Sequence, residues 1–243
     1  EPMNYKVGDD PKRGNALLNE VIPAEQSKSY DMKVVIGEVL DRNSFLEIHA
    51  DFAKNIIVGF GRLDGQSVGV VANQPLVLAG AMDIDCSRKA ARFVRTCNCF
   101  GLPIITLIDV PGFMPGTEQE HAGIITHGAK LLFAYAESTV PKISVIMRKA
   151  YGGAYIVMSS KHIGGDYNLA CPMAEIAVMG GKGAVEILYK RELEGQDEGS
   201  ERYQQLLNQY NETFCNPYLP AERGFIDAVI EPVDTRKKII SFL

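Results

Sequence analysis

The sequence has no tryptophan, and its 243 residues include only four histidines and five cysteines. His49, His121, His127 and His162 have no His or Cys neighbour at zinc-ligand spacing, so no metal is expected. Cys86, Cys97, Cys99, Cys171 and Cys215 are odd in number and scattered. Cys97 and Cys99 are C-x-C rather than C-x-x-C, so the five read as reduced thiols in a cytosol-like compartment. Basic runs are missing too. With a net charge of −5, nothing points to nucleic acid. No apolar stretch approaches the ~18 residues of a spanning helix. Glu1–Tyr5 lacks the basic-then-apolar order of a signal peptide. The serine-nucleophile elbow, the P-loop and the dinucleotide fingerprint are all absent.

What is present is the composition of a globular chain, 46% hydrophobic and 23% charged, long enough for a substantial core. Residues 1–30 are polar, broken by Pro2, Pro11 and Pro23, and read as a leading segment or linker with one short helix near Leu17–Ile22. Residues 31–243 read as the domain proper. Val34–Ile36 and Phe45–Ile48 suggest short strands or strand–helix edges. Ile56–Leu63 and Val68–Ala72 read as strands joined by Asp64-Gly65, a strong hairpin signal. Asp85 suits the cap of a helix that Gly101 stops. Apolar strands follow at Pro103–Ile108, Lys142–Met147 and Glu175–Met179. Helices are expected at Gly128–Glu137, Ala184–Lys190 and Glu201–Phe214, the last closing the regular part. Alternation of helices with apolar strands predicts an α/β fold with a sheet covered on both faces.

Three strand ends carry glycine-rich turns, at Asp109–Thr117, Tyr151–Ala154 and Gly180-Gly181. The crevice beyond such strand ends is where α/β folds bind ligands. Gly180-Gly181-Lys182-Gly183 fits no phosphate fingerprint; it is either a tight structural turn or an anion-binding helix start. Asp109 is either catalytic or a loop anchor. Gly152-Gly153-Ala154 is either close packing or a backbone oxyanion hole, because uncrowded N–H groups at a helix start stabilise negative charge on an oxygen.

Three runs carry a resemblance: AKNIIVGFGRLDGQSVGVVANQP (53–75), IDVPGFMPGTEQEHAGIITHGAKLLFAYAESTVPKISVIMRKAYGGAY (108–155) and AEIAVMGGKGAVEILYKRE (174–192). Together they resemble the biotin-dependent acyl-CoA carboxyltransferases of the propionyl-CoA and acetyl-CoA carboxylase type, and the related methylmalonyl-CoA decarboxylases. The likeness extends from about residue 30 to about residue 240 and is to the C-terminal of the family's two crotonase-like (ββα-repeat spiral) domains. It implies carboxyl transfer between carboxybiotin and a short-chain acyl-CoA, propionyl-CoA or acetyl-CoA, with this chain as half of the site. Because the first residue is Glu1 rather than Met, the sequence reads as a piece of a longer chain.

The resemblance assigns the backbone N–H groups of Gly153 and Ala154 to the oxyanion hole for biotin, so no protein base is needed. It implies substrate contacts from Tyr151, Gly152, Ile156, Gly112, Phe113, Gly116, Thr117, Asn73 and Gln74. Biotin would arrive on a biotin carboxyl carrier protein. Further partners implied are an N-terminal carboxyltransferase domain, a biotin carboxylase and other copies of the chain in a dimer-based hexamer. The expected location is cytoplasmic, or the mitochondrial matrix in a eukaryote. Two departures stand out. Ile156 replaces the Asp typical of propionyl-CoA enzymes, which implies acetyl-CoA or a broad range. Cys171-Pro172-Met173 replaces the usual Trp-Pro-Thr, which implies an altered pocket near residue 171. Two other readings follow: a silent oligomerisation or biotin-docking fragment, and a crotonase-like hydratase or hydrolase using Asp109 with His121.

Overall fold

The computed structural model describes residues 9–14, 16–195 and 197–243; residues 1–8 of the leading segment lie outside it. A short helix, α1 (Leu17–Val21), forms where the leading segment suggests one. It is followed by α2 (Met32–Val39), where strand edges were expected. The reason is packing. Met32, Val35, Ile36 and Val39 fall on one helical stripe and are all buried, and Asp31 caps the helix by accepting from the Lys33 N–H at 2.9 Å. Burial of that stripe outweighs the strand preference of Val34–Ile36.

Strands β1 (Leu46–Ile48), β2 (Ile56–Leu63) and β3 (Gln66–Asn73) form an antiparallel meander. Asp64 and Gly65 make the two-residue turn, at φ +51° and +79°. The carboxylate of buried Asp41 accepts from both turn N–H groups, at 3.1 and 2.9 Å.

Beyond β3 the sheet is parallel. Helix α3 (Ile84–Cys99) is capped by Asp83, which accepts from the Cys86 N–H, rather than by Asp85. Then come β4 (Ile104–Val110), α4 (Thr117–His121), α5 (Ile124–Glu137), β5 (Lys142–Tyr151), α6 (Gly152–Val157), β6 (Tyr167–Ala170) and β7 (Glu175–Ala177). Helices α7 (Gly181–Leu188) and α8 (Glu201–Phe214) form a hairpin. The regular part does not close there: α9 (Tyr218–Glu222), β8 (Ala228–Val229) and α10 (Thr235–Phe242) follow. In space the order is β1-β2-β3-β4-β5-β6-β8, with β7 paired to the far end of β5.

Alternate strand residues feed two cores. Val58, Val71, Ile104, Ile108 and Ile146 face α3, α5 and α6. Ile57, Val70, Ile105, Leu107, Val145 and Met147 face α1, α2 and α10. This is why the central strands read as unbroken apolar runs. Arg236 of α10 is buried and donates to Asp41 at 2.6 Å and to the Val39 carbonyl at 2.8 Å. The last helix is thereby tied to α2 and the hairpin. Residues 23–31 cross the carboxyl ends of the strands. Arg148 donates to the Lys28, Glu25 and Pro23 carbonyls at 2.6, 3.0 and 3.4 Å, Gln26 donates to Met173, and Gln74 donates to Asp31.

Candidate active site

Strand β5 ends in the turn that the sequence singles out. Tyr151 precedes α6, Gly152 has φ +57°, and no side chain caps the helix. A Cβ on Gly152 would lie 2.9 Å from the Val178 carbonyl oxygen, so only glycine suits both the angle and the approach. A Cβ on Gly153 would meet nothing closer than the Phe113 ring, at 3.9 Å. The N–H groups of Gly153 and Ala154 lie in the first helical turn, where no intrahelical acceptor exists. Gly153 is exposed, whereas Ala154 is buried.

Beside the turn lies a cleft of about 460 Å³, lined by Ile156, His162, Val178, Phe214, Arg223 and Phe225 among others. His162 stacks on Phe225, ring centroids 4.4 Å apart, and meets Tyr155 edge-on. The cleft is chiefly apolar, and Arg223 lines it as well.

The loop after β4 also approaches the turn. Phe113 is pinned by the exchange between Met82 and its neighbours: Met82 N–H to Gly112 O at 3.0 Å, Met114 N–H to Met82 O at 2.8 Å. Its ring packs on Gly128 and faces Gly153. Gly112, at φ +149°, turns the chain, while Gly116 and Thr117 are exposed where α4 begins. The structure therefore brings together Gly152, Gly153, Ala154, Ile156 and Phe113. Asn73 and Gln74 are placed elsewhere: both are buried. The Asn73 carbonyl oxygen accepts from the Asp109 N–H and its amide donates to Gly80, while Gln74 bonds Asp31 and Met32. Their side chains brace loops rather than face the cleft. Tyr151 is 8% exposed, and its hydroxyl donates to Glu175. Cys171 is buried in the core beneath the sheet.

Asp109 resolves as an anchor. It is sealed in the core, accepts from Arg148 Nε at 2.9 Å and from the Lys149 N–H at 3.2 Å. His121 lies exposed at the end of α4. The two form no acid–base pair, which removes the support for a hydratase or hydrolase. The Gly180–Gly183 stretch is the start of α7, packed against Asn211 and Leu207 of α8. Glu175, His162 and Phe225 escaped the sequence reading, since nothing local distinguishes them. Arg148 carried one signal, a charge inside an apolar strand, which burial permits only with a partner. Among the described residues, no group of three or more His, Cys, Asp or Glu could hold a metal ion, and no helix is long and apolar enough to cross a membrane.

The family model for the carboxyl transferase domain matches residues 1–243. The chain belongs to the carboxyl transferase domain family. It is 57% identical over 243 residues to the propionyl-CoA carboxylase carboxyltransferase subunit of Haloferax mediterranei, covering all of this chain and 47% of that protein. It is 59% identical over 231 residues to the propionyl-CoA carboxylase beta chain of Cereibacter sphaeroides, covering 95% and 44%. The chain thus spans about half the length of these relatives, and aligns with their C-terminal half. Transcarboxylase 12S, solved as a hexamer with methylmalonyl-coenzyme A, superposes at TM-score 0.94 with 44% identity, covering all of this chain and 47% of that one. The β subunit of geranyl-CoA carboxylase from P. aeruginosa shares the fold at TM-score 0.83. The fold is the crotonase-like α/β fold of carboxyltransferase domains.

Proposed function

We propose that this domain supplies the biotin-facing half of a carboxyltransferase site, acting between carboxybiotin and a short-chain acyl-CoA. One observation carries the reading. In a member of this family, a turn that requires glycine at residue 152 opens α6, and the N–H groups of Gly153 and Ala154 lie in its first turn, uncapped by any side chain and with Gly153 exposed. Biotin, when bound, supplies the carboxyl group and a ring nitrogen that can accept the acyl-CoA proton. The residues of this chain do the rest. Gly153 and Ala154 donate to the ureido oxygen, where charge develops. A donor of this kind is worth ~3–4 kcal/mol in barrier. Phe113 faces Gly153. Ile156 and the aromatic wall of Phe214 and Phe225 take apolar groups. Gly112, Gly116 and Thr117 shape the rim.

Neither Asp109 nor His121 forms an acid–base pair that could serve the turn, which agrees with this assignment. Residues 31–243 are the carboxyltransferase unit, with residues 9–30 strapped to it. Ile156 favours acetyl-CoA or a broad range over propionyl-CoA alone. The partners are an N-terminal carboxyltransferase domain, a biotin carboxyl carrier protein, a biotin carboxylase and further copies in a dimer-based hexamer. The compartment is the cytoplasm, or the mitochondrial matrix in a eukaryote; five free thiols suit either.

The test is decarboxylation of malonyl-CoA and methylmalonyl-CoA with free biotin, using this chain alone and mixed with an N-terminal carboxyltransferase half. Turnover in the mixture only is the expected result. Turnover by the chain alone would overturn the half-site. Absence of turnover from an associated pair of halves would instead make the domain a docking fragment.

A further inference from the structure

We propose that Tyr151 and Glu175 form a positioning pair that sets the Gly152–Ala154 turn. The inference rests on the carboxyl-transfer reading, and it assigns Tyr151 a task other than substrate contact. Tyr151 is the last residue of β5 and the first to flank α6. Its ring is buried, and its hydroxyl donates to Glu175 Oε2 at the start of β7. The same two strands are already in register there, Lys149 beside Glu175 and Tyr151 beside Ala177. The side-chain bond therefore closes a small ladder directly upstream of Gly152. The stakes are geometric. Gly152 must hold φ +57° with the Val178 carbonyl beneath it, and Val178 follows β7. Any slip of β7 against β5 moves the floor of the turn and the two N–H groups above it.

The Tyr151 ring also touches the second glycine turn, where a Cβ on Gly180 would lie 3.3 Å from its edge. One side chain thus spaces both turns. Burial, then the bond to Glu175, pushes the Tyr151 hydroxyl upward, so it remains a donor. Glu175 is felt by its neighbours. It opposes the burial that lowers Lys149, and it adds to the burial that raises the Cys215 thiol to about 11. On the opposite face of β5, Arg148 holds Asp109. That pair sits in the core and its removal would disturb the fold; Tyr151→Phe removes a single oxygen atom.

The experiment uses the complete carboxylase carrying this domain, with Tyr151→Phe, Glu175→Ala, Glu175→Gln and Gly153→Pro. The readouts are kcat, acyl-CoA KM and thermal midpoint. Displacing a catalytic group by ~1 Å costs up to ~100-fold. Tyr151→Phe and Glu175→Ala are expected to lower kcat about tenfold with KM within about twofold. Their double variant is expected to be no worse than either single one. Glu175→Gln, which still accepts from Tyr151, is expected to restore wild-type kcat. If Tyr151→Phe keeps kcat within twofold while Gly153→Pro is inactive, the positioning pair is wrong and the amide reading stands. If Gly153→Pro is also active, the amide reading fails. A Tyr151→Phe enzyme that loses kcat only in proportion to folded protein would reduce the pair to a structural bond.

Discussion

The Arg148 guanidinium lies 2.9 Å from the Asp109 carboxylate, at 1% and 0% side-chain exposure. The pair joins adjacent parallel strands where their register shifts, between Ile108 and Val110. Arg148 reaches on to three carbonyls of residues 23–28, and its guanidinium lies 4.8 Å from the Tyr30 ring centroid. One cation thus joins the strand that bears the turn to the segment that crosses the strand ends. Removing a single partner from such a pair leaves a buried charge uncompensated. Asp109→Ala and Arg148→Ala should each lose about 3–5 kcal/mol in urea unfolding. Loss of less than 1 kcal/mol in both would show that the pair is not what joins these parts.

Gly152→Ala places a side chain at φ +57° and 2.9 Å from the Val178 oxygen. The left-handed angle alone costs about 1–2 kcal/mol. A stability loss of at least that size should appear in denaturant unfolding, with a fall in kcat. A fully stable, fully active variant would mean that the turn relaxes freely.

These relationships mark what the sequence could and could not disclose. Period and turn chemistry are local. They are enough for the β2–β3 hairpin at Asp64-Gly65, for the stop at Gly101 and for α8. They also place the glycine turn at the end of β5. Local signals failed where tertiary burial decides. Val34–Ile36 has strand-like composition, yet α2 forms because Met32, Val35, Ile36 and Val39 share one buried stripe. The two-residue β8 is too short to announce itself, and it exists because its backbone pairs with β6. At the site, the turn was legible in Gly152-Gly153. The contact of Tyr151 with Glu175, and that of Arg148 with Asp109, span 24 and 39 residues. No local pattern encodes them. Asn73 and Gln74 show the converse ambiguity, because polar residues at a strand end are as useful for bracing loops as for meeting substrate.

Thiol chemistry gives a pH-dependent test. Burial raises Cys97 and Cys171 to about 12 from the ordinary 9.0. In the unfolded chain these thiols ionise near 9, whereas in the folded chain they do not. The stability they contribute is complete below pH 9 and is lost as pH climbs from 9 towards 12. Unfolding free energy should therefore fall across that window. At pH 8, exposed Cys99 should react rapidly with a thiol reagent, and Cys97 and Cys171 only on unfolding. Rapid labelling of all five in the native protein would contradict the packing.

Ile156 lines the apolar cleft beside the turn. Ile156→Asp places a carboxylate on that wall. Pocket changes of about one methylene discriminate substrates by roughly 10–200-fold. The ratio of kcat/KM for acetyl-CoA over propionyl-CoA is expected to fall by about tenfold. An unchanged ratio would remove residue 156 from chain selection.

The most direct measurement is carboxyl transfer by Gly153→Pro in the complete enzyme, with folding checked by circular dichroism. Proline deletes one N–H and changes no other residue of the site. The account predicts a correctly folded enzyme with transfer reduced at least 100-fold. Wild-type transfer from that variant would contradict it.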